Sequence, residues 1–384
     1  MRFPEFREEW EEHELSEYLD FKNGLNPKPN QFGKGIKFIS VMDILNNAVI
    51  TYDCIRASVS VSEEDMSAFS VQKGDILFQR SSETLEDVGR ANVYVDDIPA
   101  VFGGFVIRGK QKTNYNPLFF KYLLSSPLAR KRIIRMGAGA QHFNIGQEGL
   151  SKVKLPFACI DEQNKIAKIL YLLDKRISLQ NKIIEDLKKL KCAIIEKVYS
   201  EIQGKEYSYR QLFDVVNERN KQIEYFNILS ASQEKGMVNR DDLNLDIQFE
   251  RSNINTYKIV KKGDYVIHLR SFQGGFAFSD KLGVCSPAYT ILRPNSILEY
   301  GYLSNYFTSQ RFIKSLVLVT YGIRDGRSIN VDEWLRMKIT IPPKEHQQYI
   351  VKVIGTFERK IEDEEAYAAH LSKQKQYLLR QMFI

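Results

Sequence analysis

The sequence predicts an α+β protein in which two pseudo-twofold-related α/β units are separated by two long antiparallel helices forming a coiled coil. Three observations predict it. Short segments recur in the same order about 185 residues apart, each copy carries a Gly-Asp turn feeding an apolar strand, and each copy ends in a long heptad-spaced apolar stretch.

The repeat is explicit. Phe143-Asn144-Ile145 through Val153-Lys154-Leu155-Pro156 aligns without gaps on Ile329-Asn330-Val331 through Ile339-Thr340-Ile341-Pro342. Upstream, Val71-Gln72-Lys73-Gly74-Asp75 recurs as Val260-Lys261-Lys262-Gly263-Asp264, and downstream Gln163-Asn164-Lys165-Ile166-Ala167 recurs as Gln347-Gln348-Tyr349-Ile350-Val351. The order is globular unit, helical unit, globular unit, helical unit: 1–156, 157–203, 204–342 and 343–384. A period this long is a duplicated module and not a solenoid.

Within each globular unit the Gly-Asp pair suits a tight turn before the strands Ile76-Leu77-Phe78 and Tyr265-Val266-Ile267. Asn116-Pro117 has the form of an N-cap followed by proline at the first helical position, opening a helix through Leu124; Tyr302 to Phe312 is expected to be its counterpart. Gly103-Gly104 and Gly274-Gly275 read as strand-edge or turn glycines.

The helical units carry a seam of Leu170, Leu173, Ile177, Ile184, Leu187, Ile194 and Val198, matched by Ile354, Phe357, Ile361, Ala368, Leu371, Leu378 and Met382. Gln180 and Lys191 interrupt the first seam, Glu364 and Lys375 the second. An antiparallel register with Lys191 opposite Glu364 and Gln180 opposite Lys375 leaves every apolar seam residue facing an apolar one, and is the register expected. A helix of ~40 residues is ~60 Å long at ~1.5 Å per residue, so such a pair acts as a spacer between the globular units.

Composition sets bounds. In 384 residues, 55 basic and 48 acidic side chains leave a net charge of +7, which allows a polyanionic partner without demanding one. The four cysteines are scattered with no C-x-x-C, against a disulfide scaffold or zinc site and in favour of a reducing cytoplasm. No signal-like or membrane-spanning apolar run is present, so no membrane role is expected.

Lys152-Val153-Lys154-Leu155-Pro156, then Asp161-Glu162-Gln163, then Leu173-Asp174-Lys175-Arg176-Ile177, resembles the conserved helical region of Type I restriction-modification specificity subunits. Met337 to Phe383 resembles a second such region, two residues shorter after its proline and with Glu358-Arg359-Lys360 in place of Asp174-Lys175-Arg176. The resemblance covers nearly the whole chain, and the duplicated order of its motifs makes it specific. It implies two target recognition domains, each reading half of a bipartite, asymmetric double-stranded DNA site. It also implies helices that set the spacing and dock two modification (methyltransferase) subunits, to which ATP-dependent restriction subunits are added. S-adenosylmethionine, ATP and magnesium then belong to the partners, with no cofactor in this chain.

The residues show no catalytic set and no metal set. Asn116-Pro117-Leu118-Phe119 resembles an amino-methyltransferase motif only faintly and reads as a helix cap; Gly33-Lys34-Gly35 lacks P-loop spacing; the five histidines form no ligand pair. DNA-contact candidates sit on loops after the repeated strands and before the repeated Asn: Arg80, Ser81, Ser82, Gln141 and His142 in the first copy, Arg270, Ser271, Arg324, Arg327 and Ser328 in the second, with Lys34 and Lys37 as further cations. These loops differ between copies while the frame repeats, as two readers of different sequences require. The competing readings are a self-contained modification-restriction enzyme and a helical adaptor that binds no DNA.

Overall fold

The computed structural model describes residues 2–139, 142–232, 235–242, 251–268, 275–321 and 328–383. The chain divides into two compact units, Met1–Asn181 with Ala366–Ile384, and Lys182–Glu365. Each unit takes part of both long helices.

In the first unit a four-stranded antiparallel sheet runs in the order Leu19–Asn23, Val106–Gln111, Ile76–Gln79, Ala91–Val93. The second unit repeats it with Phe213–Val216, Thr290–Pro294, Tyr265–Ile267 and Phe276–Phe278. The central strand of each sheet is buried on both faces, which explains its continuous apolar run. Side chains alternate across a strand, so Ile76 and Phe78 enter one core while Leu77 enters another. Tyr265 and Ile267 likewise separate from Val266.

The turn before each central strand follows its sequence closely. Gly74 and Gly263 adopt φ of 95° and 93°, a region glycine enters without penalty. The following aspartate is buried and accepts a 2.9 Å hydrogen bond from the backbone N–H three residues back, from Gln72 to Asp75 and from Lys261 to Asp264. A short strand closes each unit from below: Glu11–Glu14 pairs antiparallel with Lys154–Phe157, and Lys205–Ser208 with Lys338–Ile341.

The expected helix after Asn116 runs Pro117–Ser125, and the Asn116 side chain accepts from Phe119 N at 3.0 Å. Ser126 then caps a second helix, Pro127–Ile134. The counterpart expected over Tyr302 to Phe312 is not continuous. A 3-10 turn, Tyr306–Thr308, is followed by extended Ser309 (ψ 148°), whose hydroxyl accepts from Phe312 N and starts a new helix, Gln310–Ser315. The serine cap that separates the two helices of the first unit has its equivalent here and breaks the run.

The central helix spans Ile160–Ser200 and the C-terminal helix Lys344–Met382. In the first unit Ile166, Ala167 and Leu170 from the start of one join Leu379, Met382 and Phe383 from the end of the other in the globular core. In the second unit Ile350 and Ile354 meet Ile195 and Tyr199 in the same roles. Within each unit the two helical segments are antiparallel: Asp174 faces Lys375 while Arg176 faces Tyr367, and Lys188 faces Glu365 while Lys191 faces Glu358.

The expected register is corrected by these contacts. Lys191 pairs with Glu358 at 2.7 Å and not with Glu364, which ion-pairs with Lys360 in its own helix. Lys375 pairs with Asp174 at 2.5 Å, six positions before the expected Gln180. Both partners lie six positions from those expected. The displacement, close to one heptad, gives each lysine a carboxylate, where the expected register offered Lys375 only an amide.

In the first unit that carboxylate is buried and shared. Asp174 also accepts from Tyr122 Oη at 2.8 Å and from Lys121 Nζ at 3.4 Å, both on the helix Pro117–Ser125. Burial brings the Lys121 pKa down to about 8, with Lys375 adding repulsion and Asp174 opposing the shift. Burial also disfavours the Asp174 carboxylate, but the charges of Lys121 and Lys375 and the hydrogen bonds to it outweigh that and hold its pKa below the ordinary value.

Candidate nucleic-acid interface

In the first unit four chain segments come together along one hydrogen-bonded edge. Arg80 follows the central strand; its backbone N–H donates to Phe105 O at 2.9 Å and its carbonyl accepts from Ile145 N at 3.0 Å. Its guanidinium Nη1 donates to Gly104 O at 3.2 Å. Ser81–Ser82 then pairs antiparallel with Phe143–Asn144, and Ser81 Oγ donates to Asn144 Oδ1. On the other side Gly24 N donates to Val106 O and Leu25 N to Phe102 O, bringing Asn26 against Gly104.

This close approach needs glycine. A Cβ on Gly24 would lie 2.1 Å from the backbone oxygen of Gly103. The edge therefore presents, on a fixed backbone, a guanidinium, two hydroxyls, exposed amides of Asn26 and Asn144, and the exposed ring of Phe105. Chemically it offers both donors and acceptors, which is what reading base edges requires.

The structure thus brings together Arg80, Ser81 and Ser82, with exposed His142 beside Asn144, whose Nδ2 donates to the His142 carbonyl. Lys34 is exposed in the strand Phe32–Ile39, between two positive-φ glycines. Lys37 is committed to the fold: its ammonium donates to Ile55 O at 2.7 Å and sits 5.9 Å from the Tyr52 ring centroid. Gln141, Arg270, Ser271, Arg324 and Arg327 lie outside the described residues. Ser328 is described in its backbone only, in a two-residue ladder of Ser328–Ile329 with Thr320–Tyr321. That ladder joins Ser328–Ile329 to the segment just before it, as the bridge between Ala138 and Asn144 does in the first unit.

Asn26 and Phe105 were missed in the sequence. Nothing local marks them, because only pairing between distant strands places them beside Arg80.

Behind the edge, Arg130 anchors the loop after Ser82. Its Nη2 donates to Glu86 O at 2.9 Å and to Val88 O at 2.6 Å. Burial, aided by the nearby charge of Arg90, lowers its pKa to about 10. In the second unit His268 stands where Gln79 stands in the first, and burial alone lowers its pKa.

The faint methyltransferase-like tetrapeptide is a cap with every polar group of Asn116 engaged. Its N–H donates to Gln163 Oε1 at 2.9 Å and its Nδ2 to Asn164 Oδ1 at 2.8 Å. Gln347 makes the equivalent bond in the second unit, accepting from Glu299 N at 2.8 Å. Among the described residues no group of three or more His, Cys, Asp or Glu side chains is placed to hold a metal, and no helix is long and apolar enough to cross a membrane.

The architecture defines a class: a duplicated module whose α/β unit is completed by segments of two long helices. The family model for the type I restriction modification DNA specificity domain matches residues 7–189 and again 204–371, and the chain belongs to that family. Its role is that of a specificity subunit, which recognises DNA sequence for a type I restriction-modification system.

The chain is 23% identical over 401 residues to the putative type I restriction enzyme MjaX specificity subunit of Methanocaldococcus jannaschii, covering 98% of this chain and 93% of the relative. Its fold is similar to the crystal structure of a type I system S subunit from M. genitalium, with TM-score 0.58 and 14% identity over 98% of this chain and 96% of that one. It is also similar to a structure described for complex assembly and conformational transition of the type I system, with TM-score 0.59 and 13% identity over 97% and 96%.

Proposed function

We infer that each unit reads one half of a bipartite, asymmetric site in double-stranded DNA, and that the chain itself transfers no methyl group and cuts no strand. The observation that carries this is the edge around Arg80, a polar reading surface built on the repeated Gly-Asp sheet. The family match to both copies supports two readers, and the different residues at the matching sequence positions of the two copies support two different half-sites.

The long helices set the spacing between half-sites and dock the methyltransferase partners. On the first unit's part of the central helix Leu172 and Leu179 are 55% and 60% exposed, seven residues apart on one face. On the second unit's part Ile183 and Leu190 repeat the step at 39% and 48%. Paired apolar residues held in water at heptad spacing suit a packing partner, one modification subunit for each unit. The restriction subunits join that core. S-adenosylmethionine, ATP and magnesium are held by these partners, and the assembly works in the cytoplasm.

Mapping modified adenines in the host genome tests the reading directly. Arg80→Ala is expected to relax or weaken one half of the mapped site and leave the other half and the spacing intact. Uniform loss over all sequences would mark Arg80 as a phosphate contact. Modification unchanged by deletion of the chain would overturn the reading.

A further inference from the structure

Phe105 is 68% exposed, yet its backbone is hydrogen-bonded into the edge. Its carbonyl accepts from Arg80 N, the carbonyl before it accepts from the Arg80 guanidinium, and the turn it ends is pressed against Gly24 by a contact only glycine permits. The ring is therefore displayed by a rigid turn, with Asn26 and Arg80 beside it.

The major-groove edges of bases carry hydrogen-bond donors and acceptors and one apolar group, the 5-methyl of thymine. Arginine, asparagine and serine answer the polar features. A phenyl ring set among them answers the methyl. We propose that Phe105 is a specificity-determining residue of the first unit, contacting a thymine methyl in the half-site that this unit reads. This rests on the reading of the Arg80 edge as a DNA interface and adds to it the identity of one base.

The second unit sharpens the assignment. The pairs Ile107–Phe78 and Thr290–Ile267 occupy the same place in the two sheets. Two residues before Ile107 stands Phe105; two before Thr290 stands Ala288, also exposed. The frame repeats and the apolar reader does not, so the methyl contact belongs to the first half-site only.

The test uses the full chain assembled with its modification subunits and duplexes carrying the mapped site, with each thymine of the first half-site replaced in turn by deoxyuridine. At one position the replacement is expected to weaken binding about fourfold, the factor corresponding to burial of one methyl. Phe105→Ala should weaken the thymine duplex by a similar factor and no longer distinguish it from deoxyuridine, while Phe105→Leu keeps part of the discrimination. The exposed ring makes unfolding an unsuitable explanation, and an unchanged melting temperature of both variants verifies this. A wild-type complex indifferent to every replacement overturns the proposal, as does a Phe105→Ala complex that still discriminates. So does loss of modification-subunit capture with discrimination intact, which would make the ring a protein contact. Arg80→Ala separates the two levels: if it too leaves the half-site unchanged, the edge is not the DNA interface; if it weakens that half-site while Phe105 variants do not, only the methyl contact fails.

Discussion

Asp174 of the first unit and Glu358 of the second hold the same place in the repeat, and each meets the lysine that the other long helix brings there. The resemblance ends at the ion pair. The Asp174 side chain is 8% exposed and is shared by Lys375, Lys121 and Tyr122, so it ties a globular helix to both helical segments of its unit. The Glu358 side chain is 41% exposed and its lysine 24%. The difference teaches that one duplicated pair serves as a buried clasp in one copy and as a solvated surface contact in the other. A surface pair contributes little, whereas breaking a buried one strands charge.

The sharpest way to break the comparison is Asp174→Ala. It leaves two amines in a buried site and is expected to destabilise the first unit by about 4 kcal/mol, seen as faster hydrogen exchange there than in Lys182–Glu365. The pH dependence has a definite sign. A carboxylate with a depressed folded pKa contributes stability above its unfolded value, about 3.9, and loses it as pH falls through the folded value. The first unit should therefore lose stability in acid, and an Asp174→Asn variant should show a flatter acid limb from a lower starting stability. An unchanged limb would show that the clasp does not govern acid behaviour.

Next in size is Phe383→Ala. Phe383 is buried against Trp10 and Phe119, at ring-centroid distances of 6.0 and 5.5 Å. Its loss is expected to cost about 3 kcal/mol, again in the first unit, read from the denaturant midpoint of that unit's exchange-protected amides. Equal loss in both units would remove the distinction between them. The smallest effect is expected of Glu358→Ala, under about 1 kcal/mol and declining with added salt. A loss as large as that of Asp174→Ala would show that the two clasps are equivalent after all.

The duplication, the Gly-Asp strands, the Asn116 cap and the two helices were legible because each is written in local spacing: heptads, a cap before proline, a repeated pentapeptide. The helix register was not, because the lysine–carboxylate pairs that mark it, Lys375 with Asp174 and Lys191 with Glu358, join residues far apart in the chain. The Asp174-to-Glu358 change, which looked like a departure in the second copy, in fact preserves the carboxylate that sets the register. Arg80, Ser81, Ser82 and His142 were named from their place after or before repeated strands, and the structure gathers them on one edge. The bond from Lys37 to Ile55 O was not legible, because nothing in sequence places that carbonyl beside it, and neither was the placing of Asn26 and Phe105 beside Arg80, because their neighbours are chosen by strand pairing.

Leu379, Met382 and Phe383 belong to the core of the first unit although Lys182–Glu365 precedes them in the chain. A ribosome must therefore translate the whole second unit before it releases the residues that complete the first. During synthesis the first unit waits with an open apolar face, and the second, whose residues are contiguous, is free to fold earlier. A message broken within the C-terminal helix beyond Glu365 would yield a protein with its second unit made and its first left unfinished, a target for proteolysis before it can direct modification to the wrong site.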